Sequence, residues 1–269
     1  MSLFTVLGAS GFIGQRLSAY LKQQGHDVQT PPRDISHLRD MELGHVIYCI
    51  GTTGNFRQYP QKAVEAHVGK LQDVMEGAVF DSWLYLSSTR IYGGLPADVL
   101  AQEDSTLPLR PSADALYDLT KLLGEAICLG RDNPAVRIAR LSNVYGQGQS
   151  RNTFLGAVLR DVIQNGHVKI GEDAQSGKDY ISVDDAVFFL KEIALKGSKR
   201  VYNVASGTVV RHGQIADVIR QSGKEVTFAK GGVCRSFAPI DNSRLVSEFG
   251  APKGNILNDL PLLLSPVSI

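Results

Sequence analysis

A glycine-rich turn separates the first apolar run of the chain from its first amphipathic segment. Residues 3–7 predict a strand, and residues 12–24 carry apolar side chains at helical spacing. Gly8, Gly11 and Gly14 allow backbone N–H groups and the helix N-terminus to approach a pyrophosphate. The alternative is a plain strand-to-helix turn in a chain with 27 glycines. The strand–turn–helix context favours dinucleotide binding. The predicted contacts come from Gly8, Ser10, Gly11, Phe12, Ile13 and Gly14.

Short apolar runs alternate with helical stretches along the rest of the chain. Further strands are predicted at 27–30, 45–50, 83–87, 135–140 and 201–204. Helices are predicted at 61–75, 113–129, 152–164 and 183–195. A polar segment, 171–178, separates the last two helices. The alternation predicts an α/β fold, a Rossmann-type doubly wound parallel sheet with a small C-terminal substrate lobe.

Charge and cysteine usage argue against several classes of partner. The chain has 28 basic and 27 acidic residues, so its net charge gives no reason to expect a nucleic-acid or membrane partner. Its 3 cysteines are far apart, which excludes a disulfide framework and disfavours zinc. No apolar run approaches the ~20 residues of a membrane span, and the first residues resemble a strand rather than a signal peptide. We therefore expect a cytoplasmic protein without a metal.

The residues after the second predicted strand bear on the choice of cofactor. An acidic residue there would favour the ribose hydroxyls of NAD, and a basic one the 2′-phosphate of NADP. Pro32 stands at the usual acidic position and Arg33 follows it. Arg33 could hold a 2′-phosphate, or it could be a loop residue paired with Asp34. The sequence favours NADP and leaves NAD open.

Tyr117 and Lys121 are four positions apart, on one face of a predicted helix. A nearby ammonium, together with the positive nicotinamide ring of a bound cofactor, favours the phenolate and brings the pKa of a tyrosine toward the working range of a base. The alternative is a surface tyrosine beside a surface lysine. The preceding strand ends near Ser88, at the sheet edge where open α/β sheets bind ligands. Ser88 could hydrogen-bond a reacting oxygen or only cap the strand.

Four motifs in order along the chain resemble one known family. They are residues 8–14, 87–93, 117–121 and 140–146, with further matches at 103–104, 178–185 and 201–207. Their order and spacing resemble those of the extended short-chain dehydrogenase/reductase family. That group contains NAD(P)-dependent sugar-nucleotide epimerases, dehydratases and 4-keto reductases. The resemblance spans residues 3–207.

The resemblance implies a role for individual residues. Ser88, Tyr117 and Lys121 match the catalytic set, and Tyr117 and Lys121 also contact the cofactor. Ile50 and Gly51 lie where the family continues its cofactor site. The residues expected to contact the substrate include Ser88, Thr89, Asn143 and Lys178. Lys178 stands where many members carry an arginine that binds the phosphates of the substrate. Arg235 could reach a phosphate from the C-terminal lobe or be an ordinary surface arginine.

The family also implies a domain organisation. Residues 1–269 would form one unit, often paired as a homodimer through the Tyr–Lys helix and others. Residues 1–145 plus about 179–204 would bind the dinucleotide. Residues of about 146–178 and 205–269 would form the smaller substrate lobe.

Three departures from the family pattern narrow the expected chemistry. Dehydratases place an Asp-Glu pair after the catalytic hydroxyl, whereas this chain has Thr89 and Arg90, which disfavours dehydration. His67 stands where the fourth helix usually carries an asparagine. Where the family has small residues after this strand, predicted here at 45–50, the chain has the sequence Ile-Gly-Thr-Thr at 50–53.

The expected activity is that of an NAD(P)-dependent epimerase or reductase. Tyr117 would exchange the proton of a substrate oxygen, Lys121 would tune the tyrosine and hold the nicotinamide ribose, and Ser88 would orient the oxygen. The expected substrate is a sugar nucleotide. The alternative is a catalytically silent dinucleotide-binding regulatory or scaffold protein, whose signature would be a broken triad. All three triad residues are present.

Overall fold

The structure is a computed structural model that describes residues 1–33, 38, 40–52 and 56–265. Its centre is a parallel sheet of six strands in the order β2-β1-β3-β4-β5-β9. These strands are β1 (Leu3–Leu7), β2 (Asp27–Gln29), β3 (His45–Tyr48), β4 (Ser82–Ser88), β5 (Val136–Leu141) and β9 (Val201–Val204). The predicted Rossmann-type sheet is confirmed.

Helices cover both faces of this sheet, because its strands are apolar on both sides. Helices α1 (Phe12–Gln23) and α6 (Val183–Lys196) pack on one face, around a core that includes Leu17, Leu84 and Leu190. On the other face lie α3 (Lys70–Gly77) and α4 (Leu116–Leu129), around Trp83 and Tyr85. The sheet is therefore buried between two layers of helices.

The strand order reverses beside β1, and this reversal positions the site. The chain leaves β1 for β2 on one side and later returns to place β3 on the other side. Ligands of open α/β sheets bind where the carboxyl ends of such strands diverge. The glycine turn after β1, the residues after β3 and Ser88 at the end of β4 all lie at that edge.

A second apolar core lies beside the sheet. It is built from α5 (Phe154–Asn165), α7 (His212–Gln221) and α9 (Ile256–Leu264), with strands β7 (His167–Ile170) and β11 (Glu225–Phe228). Strands β6 (Asn143–Tyr145), β8 (Gly177–Ser182) and β10 (Val209–Arg211) form a separate small sheet. Helix α8 (Ser243–Phe249) packs near β9. These elements occupy much of the predicted substrate lobe. The boundaries of the lobe stay a prediction, and its residues 266–269 lie outside the described ranges.

Two predicted elements differ from the structure. The helix expected at 61–75 is divided into α2 (Pro60–Val64), a π-helical turn (Glu65–Gly69) and α3. A π turn accommodates one extra residue in a helix and is often found at functional sites. The end of the polar segment 171–178 belongs to β8, in which the adjoining Asp179 is buried and accepts hydrogen bonds from Ser206 and Thr208. No helix among the described residues has the length and apolar character of a membrane span.

Candidate active site

Ser88 and Tyr117 meet at the carboxyl edge of the sheet. Ser88 ends β4 and caps the short 3-10 turn Thr89–Tyr92, where its hydroxyl accepts a hydrogen bond from the Arg90 N–H at 3.2 Å. Tyr117 lies in the first turn of α4, and the neighbouring Ser88 hydroxyl lowers the pKa of its phenol. The structure thus brings together two of the three residues that the sequence nominated as catalytic.

Tyr117 lies in an aromatic enclosure. Its side chain is buried, its ring centroid is 5.5 Å from that of Phe56, and the His67 ring meets it edge-on at 5.2 Å. Burial raises the pKa of Tyr117 to about 12, although the Ser88 hydrogen bond and the charge of Arg90 both lower it. The phenol is therefore protonated at neutral pH, which suits a proton donor.

Lys121 lies one turn after Tyr117 and is also buried. Its ammonium donates a hydrogen bond to the Leu86 carbonyl at 2.8 Å and lies 6.0 Å from the Tyr117 ring centroid. Burial lowers the pKa of Lys121 to about 7, while the charge of Glu125 opposes the shift. The sequence predicted that this ammonium would lower the pKa of Tyr117. In the protein alone, without the positive nicotinamide ring that the prediction also invokes, burial is the largest influence on both groups and the net shift of the Tyr117 pKa is upward.

His67 completes the inner wall of the site. Its Nε2 accepts a hydrogen bond from the Thr52 N–H at 3.3 Å, and its Nδ1 lies 2.9 Å from the Thr120 hydroxyl. Because that hydroxyl donates to the Tyr117 carbonyl at 2.9 Å, Nδ1 must carry the imidazole proton. Burial lowers the pKa of His67 to about 2. The sequence marked His67 as a departure from the family but missed this bridge.

The glycine turn fits a bound pyrophosphate. Gly8 has a φ of +86°, and a Cβ there would lie 2.9 Å from the Cys49 carbonyl carbon. A Cβ on Gly14 would collide with the Gly8 carbonyl oxygen, so the helix and the turn pack without side chains between them. Gly11 caps α1 without a side-chain hydrogen bond, and no acidic residue lies in the first turn. The positive end of α1 is thus open to an anion.

The other predicted cofactor residues flank this turn. Ile50 and Gly51 follow β3, and a Cβ on Gly51 would lie 3.5 Å from the Lys121 ammonium nitrogen. Arg33 is exposed, and its carbonyl accepts a hydrogen bond from Lys70 at 3.2 Å. The pairing of Arg33 with Asp34 and the role of Thr53 concern residues outside the described ranges.

The predicted substrate residues lie on three elements. The Thr89 hydroxyl donates to the Leu141 carbonyl at 3.4 Å, and the exposed Asn143 amide donates to the Asp179 carbonyl at 2.8 Å. The Lys178 ammonium lies 4.6 Å above the Phe154 ring. The Arg235 guanidinium is 3.7 Å from a Glu172 carboxylate oxygen.

An aromatic stack below Lys178 was not predicted from the sequence. The His212 ring lies on Phe154 with centroids 3.8 Å apart and planes inclined by 14°. His212 is fully buried, and burial lowers its pKa to about 4. The two rings come from α5 and α7, far apart in the chain. The local sequence therefore carries no signal of their contact.

A buried ion pair supports the site from beneath. Arg140 on β5 donates to Glu125 on α4 through Nε and Nη2, at 3.0 and 2.7 Å. The same carboxylate accepts a hydrogen bond from Ser87 at 2.5 Å, and Arg140 also donates to the Tyr92 hydroxyl at 2.6 Å. The network ties β4, β5 and α4 together, and so fixes Ser88 relative to the Tyr–Lys helix.

Known proteins with similar chains are nucleotide-sugar enzymes. The GDP-6-deoxy-D-mannose reductase of Pseudomonas aeruginosa is 26% identical over 233 residues, which cover 75% of this chain and 74% of the relative. RMD from Pseudomonas aeruginosa, solved with NADPH, matches with a TM-score of 0.80 at 21% identity, covering 98% of both chains. MoeE5, solved with UDP-glucose and NAD, matches with a TM-score of 0.82 at 22% identity, covering 97% of both.

Similar folds include dehydratases as well as epimerases, so the fold does not distinguish these reactions. A family model described as the NAD dependent epimerase/dehydratase family matches residues 4–205. The glycine turn, Ser88, Tyr117, Lys121 and Asn143 all lie within the matched range. The chain therefore belongs to the NAD-dependent epimerase/dehydratase family, the group of sugar-nucleotide enzymes that its motifs resemble.

Proposed function

We propose that this protein is an NAD(P)-dependent reductase or epimerase that acts on a hydroxyl or keto carbon of a nucleotide-linked sugar. The observation that carries the proposal is the convergence of Ser88, at the end of β4, with Tyr117 and Lys121 on α4, where the Lys121 ammonium lies 6.0 Å from the Tyr117 ring centroid. All three lie at the sheet edge that also holds the glycine turn. An alcohol, a phenol and an ammonium beside a dinucleotide site are the groups that this chemistry requires.

The protein's own residues handle the proton. In reduction, Tyr117 donates its phenolic proton to the oxygen of the substrate carbonyl, and in oxidation it takes that proton back. Ser88 donates a hydrogen bond to the same oxygen and holds it against the phenol. Lys121 would hold the nicotinamide ribose, and its ammonium would offset the negative charge that forms on Tyr117. When bound, the nicotinamide supplies or accepts the hydride.

The cofactor would be held by the glycine turn and by residues after β3. Backbone N–H groups of Phe12, Ile13 and Gly14 would bind the pyrophosphate at the open end of α1. Arg33 is exposed and could reach a 2′-phosphate, which favours NADP. The relatives were solved with NADPH in one case and NAD in another, so NAD stays an alternative.

Dehydration is disfavoured by the residues that follow Ser88. Water loss from a sugar needs a second acid and base near the reacting carbon. Thr89 is bound to a main-chain carbonyl, and Arg90 cannot act as a base at any ordinary pH. A reductase consumes one NADPH for each product, whereas an epimerase regenerates its cofactor. Stoichiometric cofactor consumption therefore distinguishes a reductase from an epimerase.

A ligand screen tests the proposal. Melting temperatures would be measured with NADPH, NADP, NADH or NAD, each with and without UDP-, dTDP-, GDP- and CDP-sugars. A ligand that binds only the folded state raises the melting temperature by an amount that grows with its concentration over Kd. We expect one dinucleotide and at least one sugar nucleotide to stabilise the protein. Stabilisation by no dinucleotide would refute the proposal.

We also infer a homodimer through α4. Leu123 and Leu129 on that helix are 51% and 43% exposed. A dimer would cover them. Sedimentation equilibrium of the wild type and of the Leu123→Glu variant tests this inference. A wild-type monomer at micromolar concentration would contradict it.

A further inference from the structure

Arg90 carries a positive charge to the reacting end of the proposed site. It lies two residues after Ser88, in the 3-10 turn that ends β4. Its guanidinium carbon is 5.6 Å from the Tyr117 ring centroid and 5.0 Å from that of Phe56. Because Tyr117 is the proposed proton donor, a substrate carbon reacting there must approach this cation closely.

The guanidinium is held in place from one side only. Its Nε donates to the two oxygens of Asp118 at 3.0 and 3.4 Å, and its Nη2 donates to the Asp114 carbonyl at 3.3 Å. Among the described residues Nη1 makes no hydrogen bond, so both of its N–H groups and one on Nη2 are available. The Arg90 side chain is 41% exposed. The guanidinium is thus fixed beside the Tyr117 ring with N–H groups still available to a ligand.

Asp118 is the counter-ion that fixes this guanidinium. Its side chain is only 11% exposed, and burial raises its pKa to about 6, although the charge of Arg90 lowers it. Asp118 needs Arg90 because a buried carboxylate without a partner is costly. The ion pair orders Arg90 and leaves its outer N–H groups free for a second anion.

Lys178 lies within electrostatic range of both Arg90 and Arg235. Burial lowers the pKa of Lys178, and the positive charges of Arg235 and Arg90 lower it further, while Glu172 opposes them. These cations repel one another, and an anionic ligand that contacts more than one of them would relieve the repulsion.

We propose that Arg90 determines substrate specificity by binding a carboxylate beside the reacting carbon, so that the preferred substrate is a nucleotide-linked hexuronate. This inference rests on the proposed function. Two N–H groups of a guanidinium match the two oxygens of a carboxylate, whereas a sugar hydroxyl can use only one of them. The resemblance assigns the phosphate contact to Lys178, which leaves Arg90 for the sugar.

Matched pairs of sugar nucleotides test the inference. Dissociation constants would be measured calorimetrically, with NADP present, for UDP-glucose against UDP-glucuronate and for GDP-mannose against GDP-mannuronate. Only one of the two nucleotides need bind. For that nucleotide we expect the Kd of the hexuronate to be at least about tenfold lower than that of the neutral sugar, as a charge-assisted bidentate contact implies. Arg90→Met should abolish that preference and leave the affinity for the neutral sugar within about twofold.

Arg57→Met is the matched control. Arg57 also lies over Phe56, at 4.7 Å, but its Nε is bound to Asp114 at 2.6 Å, and we expect the preference to be unchanged. Equal affinities for both sugars in the wild type would overturn the inference without any variant, and leave the proposed function intact. If the Arg90→Met variant lost affinity for both sugars equally, that result would also overturn the inference. Binding of no sugar nucleotide would overturn the proposed function and the inference together.

Discussion

His67 should make the stability of the protein depend on pH in a measurable way. The ring is fully buried, and burial, followed by the charge of Lys121, lowers its pKa from 6.5 to about 2. Between these values the unfolded chain binds a proton at His67 and the folded protein does not. The stabilisation is therefore fully present above pH 6.5 and is lost as the pH falls toward 2.

The size of the effect follows from the two pKa values. Lowering the pH from 7 to 5 protonates His67 in the unfolded chain alone, which reduces the free energy of unfolding by about 2 kcal/mol. For a chain of this size, that change corresponds to a fall of roughly 4–8 °C in melting temperature.

Calorimetric melting of the wild type and of the His67→Gln variant at pH 7 and pH 5 isolates this contribution. Glutamine is polar and never charged, so the variant should lose about 2 kcal/mol less than the wild type over the same interval. His212, whose pKa is about 4, titrates in part of the same window but is present in both proteins and cancels. Equal falls in melting temperature for the two proteins would refute a neutral buried His67.

Two further predictions concern packing beneath the site. Gly8→Ala should cost about 2–5 kcal/mol and weaken NADP binding, because a positive φ is combined with a backbone collision. Gly25→Ala, with a φ of +79° and open space around it, should cost only about 1 kcal/mol in urea denaturation. Equal losses would contradict the collision at Gly8. Arg140→Met should cost about 3–5 kcal/mol by leaving Glu125 buried without a partner. Adding Glu125→Leu should recover more than half of that loss, and a double variant no more stable than the single one would contradict this reading.

The sheet and the glycine turn were predictable because their signals are local. An apolar run, three glycines and an amphipathic segment within the first 24 residues specify β1, the turn and α1. Tyr117 and Lys121 are likewise one helical turn apart, so their shared face follows from helix geometry. The predicted starts and ends of several elements were wrong by a few residues. Helix α4, for example, begins at Leu116 rather than at 113.

The contacts that tune the site were not predictable, because they join distant parts of the chain. His67 bridges Thr52 and Thr120, which are 15 and 53 positions away from it. Arg90 meets Asp118 across 28 positions. The direction of the pKa shift of Tyr117 depends on burial, which spacing along the sequence cannot supply. The π-helical turn around His67 also has no signal in the apolar pattern, because it arises within a continuous helical stretch.

The central claim is that Tyr117 exchanges a proton with the substrate while the dinucleotide is bound beside it. The most direct test compares wild-type and Tyr117→Phe protein in the conversion of the sugar nucleotide that binds best, with cofactor affinity measured in parallel. Removal of a general acid–base group should slow turnover by about 10²–10⁴-fold. The Kd for the cofactor should change by no more than about twofold. Turnover within a factor of about ten of the wild type, with cofactor binding intact, would contradict the account.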